Sequence, residues 1–330
     1  MIDSCKLQAV NEEQMRKIGF SLGMTIYRIP GTIVLRGELG AGKTTFVQGF
    51  AKGLGVHEAV TSPTYALEQR YGDDVLSHID LYRLSSVQAQ EFMHTLDPFP
   101  GIRIIEWSDR TQGIETDIEV EISDTQPGRE VLINFSDIAI PADSEIQQWM
   151  TDVMLPEHIQ KHVRKVADVC DATADELLRQ GRPVRRKALR AAALTHDLLR
   201  FVDFKSLTGD SVFTPSTEQA SAWMKNKETY GTPHEKAAEK FLQERGYADI
   251  GKIVRTHRGH GTASAPETVE QVILAYSDKR VIKDTPATLD ERFDDFAVRY
   301  GNGKESEANR EWRQAMKHIE KNLFPKGVPF

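Results

Sequence analysis

Gly37-Glu38-Leu39-Gly40-Ala41-Gly42-Lys43-Thr44 follows directly on the apolar run Thr32-Ile33-Val34-Leu35 and leads into Thr45-Phe46-Val47-Gln48-Gly49-Phe50-Ala51-Lys52. The spacing is that of a Walker A loop, and the β-rich residues before it and helix-forming residues after it supply the strand and helix that such a loop needs. Glycines let the backbone close around phosphate oxygens so that its N–H groups converge on them. Lys43 brings positive charge to the outer phosphates, Thr44 places a hydroxyl on Mg2+, and the helix starting there adds the favourable end of its dipole. A glycine-rich turn without a ligand is the plain alternative, but loop, lysine, hydroxyl and flanking pattern agree on nucleotide binding.

At 330 residues the chain exceeds the usual size of a single core, so two domains are expected. No stretch approaches the apolar length that spans a bilayer, and Met1-Ile2-Asp3-Ser4-Cys5 has neither the basic start nor the apolar core of a signal peptide. Cys5 and Cys170 stand far apart, which speaks against a disulfide framework and for a reducing, cytoplasmic setting. Charge is uneven: residues 1–150 carry 12 Lys+Arg against 22 Asp+Glu, and the remainder 30 against 27. A front half that acidic is a poor standalone binder of a nucleic-acid backbone, so a role in RNA metabolism is expected to run through protein partners.

Asn11 to Met24 reads as a helix capped by Asn11, with Met15, Ile18, Phe20 and Leu22 as an imperfect apolar face. Thr61-Ser62-Pro63-Thr64 interrupts the chain after the loop, and Thr61 reads as an ordinary turn or strand hydroxyl. Val75-Leu76-Ser77-His78-Ile79-Asp80 is an apolar strand ending in a carboxylate, the way an α/β sheet delivers a second group to the magnesium side of a nucleotide. Such an Asp also caps turns. Gly101-Ile102-Arg103-Ile104-Ile105-Glu106-Trp107 repeats the design. Glu106 is a candidate for orienting or activating water and Trp107 for covering the nucleotide, against a solvated strand end and a core indole.

Together Gly37 to Thr45, Ser62-Pro63-Thr64-Tyr65, His78-Ile79-Asp80-Leu81-Tyr82-Arg83 and Ile105-Glu106-Trp107 resemble the TsaE (YjeE) family over about residues 1–140. The resemblance implies an ATPase of bacterial tRNA threonylcarbamoyladenosine modification that acts with TsaD and TsaB and meets tRNA indirectly. It makes Gly37, Leu39, Gly40, Ala41, Gly42, Lys43, Thr44 and Thr45 the ATP cradle, Thr44 and Asp80 magnesium-side residues, Glu106 a catalytic carboxylate and Trp107 a nucleotide-site aromatic. It also raises Thr61 to a switch residue near the γ-phosphate.

Past Pro141-Ala142-Asp143 comes a polar connection, with a short helical segment around Trp149 and Met154, and after Pro156 strands vanish. His158 to Ala174, Val184 to Leu199, Ala237 to Arg245, Ile250 to Thr256, Val269 to Val281 and Glu307 to Leu323 all read as helices, with Lys205 to Pro233 a long excursion holding one more. Ala191-Ala192-Ala193-Leu194-Thr195-His196-Asp197 ends an apolar helix on two adjacent metal-ligand types that would be costly to bury unsatisfied. His162, His234, His257 and Asp278 can complete a nitrogen and oxygen set suited to Mn, Fe, Mg or Zn. Taken singly, each is also an ordinary hydrogen-bonded side chain.

The order of these residues resembles the HD phosphohydrolase superfamily over about residues 156–300. The resemblance makes His162, His196, Asp197 and Asp278 the shared metal ligands and His234 and His257 the additional histidines of the binuclear subset. His260 is a weaker substitute for His257. Leu198-Leu199-Arg200 replaces the Ile-Gly-Lys of better-known signalling members, so their substrate does not carry over, and Arg200 and Lys279 are candidates for holding phosphate. The expected architecture is an α/β P-loop NTPase domain with a mixed β-sheet (1–140), a linker (141–155), an all-α HD domain (156–300), and a C-terminal helix and tail (301–330). The expected activities are ATP hydrolysis supporting tRNA modification and metal-dependent hydrolysis of a phosphorylated small molecule. A nucleotide phosphohydrolase regulated by the P-loop domain, or an ATP-responsive scaffold with a structural metal, are the competing readings.

Overall fold

The computed structural model describes residues 2–204, 214–257, 266–300 and 303–329. The chain divides into two compact units: a front unit of Ile2–Asp137 with Leu177–Arg185, and a rear unit of Ile138–Glu176 with Arg186–Phe330.

The front unit begins with β1 (Asp3–Ala9), α1 (Glu12–Gly23), β2 (Gly31–Arg36) and, after the glycine-rich loop, α2 (Lys43–Gly53). Then come β3 (Glu68–Tyr71), β4 (Leu76–Asp80), α3 (Ser86–Thr95), β5 (Ile102–Glu106), β6 (Ile118–Asp124) and β7 (Arg129–Phe135). Seven strands make one mixed sheet in the order β1-β7-β6-β2-β5-β4-β3. The middle is parallel, β2 pairing with β5 and β6 and β4 with β5; the margins are antiparallel. Burial follows this division, because strands covered on both faces are apolar throughout whereas half-wet ones alternate. All five residues of β4 are buried, while β1 buries only Asp3, Cys5, Leu7 and Ala9.

Leu76, Ile102 and Ile104 join the core formed with α1 and α2, whereas Ile79 and Ile105 pack with Ala89 of α3 on the opposite face. The face of each strand residue is therefore known, and with it the side on which the strand-end carboxylates lie.

Asn11 caps α1 as expected, its side chain accepting from the Gln14 N–H, and Met15, Ile18 and Leu22 are buried. Phe20 is not; it is 43% exposed, and Gly19 and Gly23 occupy the buried stripe instead. They face Gly49 and Gly53 of α2 in a seam of backbone against backbone. A Cβ would lie 2.2 Å from the Phe46 carbonyl oxygen at Gly19, 2.4 Å from that of Phe50 at Gly23, 2.0 Å from that of Arg16 at Gly49 and 2.3 Å from that of Phe20 at Gly53. Only glycine permits this approach.

The rear unit is built from α4 (Asp143–Asp152), α5 (Glu157–Arg179, its last three residues counting with the front unit), α6 (Arg186–Thr195), α7 (Thr217–Tyr230), α8 (His234–Glu244), α9 (Ala248–Arg255) and α10 (Val269–Asp278), followed by α11 (Leu289–Tyr300) and α12 (Glu307–Leu323). A two-stranded ribbon, β8 (Val281–Ile282) with β9 (Thr285–Pro286), separates α10 from α11 and departs from the purely helical expectation. Residues 141–155 include α4, which buries Ile146, Trp149 and Met150. Of the long excursion the described part holds α7, capped by Ser216, and His260 lies outside the described residues.

Candidate functional sites: a phosphate loop and a histidine-aspartate cluster

The sheet register assembles the front site. In the β4/β5 pair Asp80 stands opposite Glu106, and in the β2/β5 pair Leu35 stands opposite Glu106, two residues before the loop begins. His78, Asp80 and Glu106 share strand parity with Leu76, Ile102 and Ile104, so both carboxylates emerge on the α2 face at the carboxyl edge of the sheet, where open α/β sheets gather ligands.

The loop has the conformation that a phosphate cradle needs. Gly40 and Gly42 have φ of 82° and 103°, in the left-handed region, and Gly42 is the N-cap of α2. No side chain caps that helix and no acid stands in its first turn, so its leading N–H groups and positive dipole end are available to an anion. Lys43 is buried, with Nζ donating to the carbonyls of Gly37 at 2.8 Å and Glu38 at 3.0 Å and lying 4.4 Å from the Trp107 ring centroid. Trp107 sits at φ 59° and also meets the Tyr82 ring at 4.9 Å. The donor set fits a nucleotide polyphosphate: a cation and uncapped N–H groups on one side, carboxylates on the other. Leu39 is exposed, Ala41 buried, and Thr44 and Thr45 are half-buried in the first turn of α2.

Three neighbours were not singled out by sequence reasoning. The Thr64 hydroxyl donates to Asp80 Oδ2 at 2.5 Å, the Tyr82 N–H to Asp80 Oδ1 at 2.9 Å, and His78 Nε2 pairs with Glu106 Oε1 at 2.9 Å. His78 lies two residues before Asp80 on a strand, a spacing that places both on one face and was a legible signal. Thr61 is exposed; its hydroxyl donates to Gln69 and its N–H to the Tyr71 hydroxyl. Thr64 makes the direct link between this segment and Asp80.

In the rear unit, helix ends bring the predicted ligands together. His196 and Asp197 follow α6, His234 opens α8, His257 lies just past α9, Asp278 is the last residue of α10, and His162 comes from α5. Helix C-termini leave carbonyls without intrahelical partners, and imidazoles satisfy two of them: His196 Nδ1 donates to Ala193 O and His257 Nδ1 to Val254 O, each at 2.7 Å. His162 Nδ1 does the same at Lys283 O, 2.7 Å away. With Nδ1 committed, Nε2 is the ring atom left to serve as a metal ligand.

His162 Nε2 lies 3.1 Å and His196 Nε2 3.7 Å from Asp278 Oδ1. Asp197 divides its oxygens, with Oδ2 3.8 Å from His196 Nε2 and Oδ1 3.0 Å from His234 Nε2 and 3.9 Å from His257 Nε2. His162, His196 and Asp278 form one group of potential ligand atoms mutually within 4.8 Å; His196, Asp197 and His257 form another, and His234, Glu235 and His257 a third. His196 Nε2 is buried without a hydrogen-bond partner, an orphaned polar atom at the meeting point of the set. Imidazole nitrogens with carboxylate oxygens fit a divalent metal of the manganese, iron or zinc type.

Electrostatics agree with a set that pairs opposite charges. Burial opposes charge on His196 and His234, yet Asp197 with Asp278 raises the first and Asp197 with Asp203 raises the second. Burial and the neighbouring His196 and His234 hold His257 well below the ordinary imidazole range. Burial would push Asp197 and Asp278 up, but the imidazoles, and Lys279 beside Asp278, hold both well below the usual carboxylate range. Lys279 is bonded to Asp278 Oδ2 and lies 4.9 Å from the Trp312 ring centroid, and Arg200 is held against His234 and Asp203, so the two proposed phosphate cations are committed to the ligand shell.

Comparison with known proteins matches the same two regions. Residues 9–131 match the model described as "Threonylcarbamoyl adenosine biosynthesis protein TsaE" and residues 159–281 the model described as "HD domain". The tRNA threonylcarbamoyladenosine biosynthesis protein TsaE of Nostoc sp. is 40% identical over 112 residues, 32% of this chain and 68% of that protein. The chain belongs to the TsaE family. The TsaE of Haemophilus influenzae is 45% identical over 96 residues, 27% of this chain and 61% of that protein. A crystal structure of Bacillus subtilis YdiB is 28% identical, covers 41% of this chain and 88% of its own, and aligns with a TM-score of 0.32. The TsaE match ends at residue 131, before the histidine-aspartate cluster begins.

Proposed function

We propose that the front unit is an ATPase supporting formation of threonylcarbamoyladenosine in tRNA, through TsaD- and TsaB-like proteins and reaching tRNA through them. The observation that carries this reading is the register that sets Asp80 beside Glu106 on the α2 face, with Lys43 at the head of α2. The loop N–H groups and Lys43 hold the phosphates of ATP, Thr44 and Asp80 stand on the magnesium side, and Thr61 stands on the switch segment that Thr64 ties to Asp80. Glu106, braced at Oε1 by His78, presents its carboxylate to the attacking water and takes its proton.

The rear unit, in the same proposal, is a metal-dependent phosphohydrolase acting on a phosphorylated small molecule. His162, His196, Asp197 and Asp278 would hold one ion, and His234 and His257 with the second oxygen of Asp197 another. A divalent ion in this set supplies water activation and charge neutralisation at a phosphoryl oxygen. Asp197, held well below the usual carboxylate range by His196 and His234, and Asp278, held there by Lys279 and then by His162 and His196, serve as ligands rather than acids.

The full chain should restore threonylcarbamoyladenosine in a bacterium lacking its own TsaE, as read by nucleoside mass spectrometry, and should do so with His196 and Asp197 both replaced by Ala. Lys43→Ala should abolish restoration. Restoration by the Lys43 variant would overturn the ATPase reading. For the rear unit, a phosphate-ester panel with Mn2+ should give phosphate release that His196→Ala removes; bound metal with no release across the panel would turn the reading to a structural metal.

A further inference from the structure

Asp203 closes the 3-10 turn Arg200–Asp203 that follows the His196-Asp197 pair, six residues beyond Asp197. It grips His234 twice: Oδ1 accepts the His234 backbone N–H at 3.1 Å, and Oδ2 accepts Nδ1–H at 2.6 Å. Arg200 Nη1 stands 3.5 Å from Asp203 Oδ2 and 2.9 Å from His234 Nδ1; a guanidinium only donates, so with Nδ1–H turned to Asp203 the two N–H groups share that carboxylate as acceptor rather than bonding each other. The other histidines of the cluster hold Nδ1 on a backbone carbonyl; His234 begins its helix, where no preceding turn offers one, and a carboxylate takes that place. The grip turns Nε2 toward Asp197 Oδ1 and His257 Nε2, 3.0 and 3.2 Å away.

We propose that Asp203 is the positioning carboxylate of the second ion position, fixing the tautomer and ring orientation of His234 so that the cluster takes two divalent ions rather than one. This rests on the reading of the rear cluster as a metal centre. Carboxylates behind ligating histidines typically govern about 10–100-fold in metal affinity, and the effect belongs to the ion whose ligand they hold. Loss of Asp203 should therefore be selective: His162, His196 and Asp278 have no hydrogen bond to it.

The test uses the full chain loaded with Mn2+ alone. Wild type should bind two Mn2+ per chain and give an exchange-coupled electron paramagnetic resonance spectrum. Asp203→Asn should keep one ion near wild-type affinity, weaken the second about 10–100-fold and convert the spectrum to that of an isolated ion. Nitrogen NMR of metal-free Asp203→Asn should show His234 losing its fixed Nδ1–H form, a change that loss of packing elsewhere does not produce. Asp203→Glu, which keeps the carboxylate, should recover part of the second affinity and guards against a misfolded Asn variant. Two ions bound at wild-type affinity by Asp203→Asn would overturn the proposal. One ion in wild type would overturn it by removing the second position, and none would overturn the metal-centre reading itself.

Discussion

Replacing Gly49 by Ala sets two effects of opposite sign against each other. Alanine in a helix interior is favoured over glycine by about 0.5–1 kcal/mol, so propensity alone predicts a stabilised α2. The seam predicts otherwise: the new Cβ would lie 2.0 Å from the Arg16 carbonyl oxygen and 2.7 Å from its carbonyl carbon, both backbone atoms that no rotamer change can move. Restoring ordinary contact needs about 1.4 Å of separation between α1 and α2, which opens a gap along a close-packed face. Overpacking of this kind costs about 1–3 kcal/mol and sometimes more, and rigid backbone on both sides puts Gly49 at the upper end. Subtracting the propensity gain leaves a net loss of about 2 kcal/mol, or about 30-fold in local opening. Because two units preclude a single unfolding free energy, the assay is native-state hydrogen exchange followed by mass spectrometry, peptide by peptide. Protection should fall in α1 and α2 and stay unchanged in α6 and α10. ATP affinity should fall as well, because α2 carries Lys43 and Thr44 in its first turn. Unchanged or increased protection in α1 and α2 would show that propensity wins and that the backbone seam is not what holds the loop helix.

In calorimetry, Lys43→Ala should lose most ATP affinity, whereas Glu106→Gln should keep affinity within a few-fold and lose turnover by about 10²–10⁴-fold, as expected for a residue acting on the proton rather than on the phosphates. His196→Ala and Asp197→Ala should each lower metal content measured by inorganic mass spectrometry while leaving ATP binding unchanged, and equal metal content in wild type and both variants would sink the cluster as a metal site. The contribution of the histidine cluster to the stability of the chelator-treated protein should be largest near the ordinary imidazole value of about 6.5. His196 and His234 have raised values, so their stabilisation is full below about 6.5 and is lost as pH rises through the raised values. His257, held low, works against folding as pH falls below about 6.5, and Asp197 and Asp278 lose their contribution when pH drops below about 3.9 toward their depressed values. Metal affinity should instead rise with pH, since ligation displaces the imidazole protons, so thermal melts with Mn2+ should lack the alkaline decline.

Sequence patterns exposed those parts of the fold whose physics is local. The loop glycines, the strand-ending Asp80 and Glu106 and the helix-ending His196-Asp197 pair each announce themselves within a few residues, and the structure places them at one sheet edge and one helix-end cluster. Less visible were elements with weak apolar contrast. β1 hides its alternation because its inward residues include Asp3 and Cys5; α11 was legible but unread, its Leu289, Phe293 and Ala297 recurring at helical spacing between charged residues. Phe20 misled because apolar periodicity values side-chain size, whereas the α1–α2 seam selects its absence; Gly19-x-x-x-Gly23 against Gly49-x-x-x-Gly53 was the available signal. Thr64 and Asp203 were missed for another reason. Each acts through a residue distant in sequence, and only tertiary structure says which one.

Arg185 shows how such distant pairing limits any experiment that divides the chain. Leu177–Arg185 belong to the front unit, and there Arg185 makes a bidentate pair with Asp137 at 2.6 and 3.1 Å, donates to the Thr25 carbonyl at 3.0 Å and lies against the rings of Phe135 and Tyr27. Both partners are buried. Removing one member of a buried pair leaves an uncompensated charge and destabilises by about 3–5 kcal/mol, a large part of a domain's stability. A chain ended near residue 140 keeps every P-loop motif and loses Arg185, so its failure to restore the modified nucleoside would report a buried carboxylate without its cation rather than absent ATP chemistry. The full chain with Lys43→Ala should lose the proposed phosphate binding and keep the Arg185–Asp137 pair; with His196 and Asp197 replaced it should lose the proposed metal set and keep both. Those two variants separate the contributions of the units where truncation would confound them.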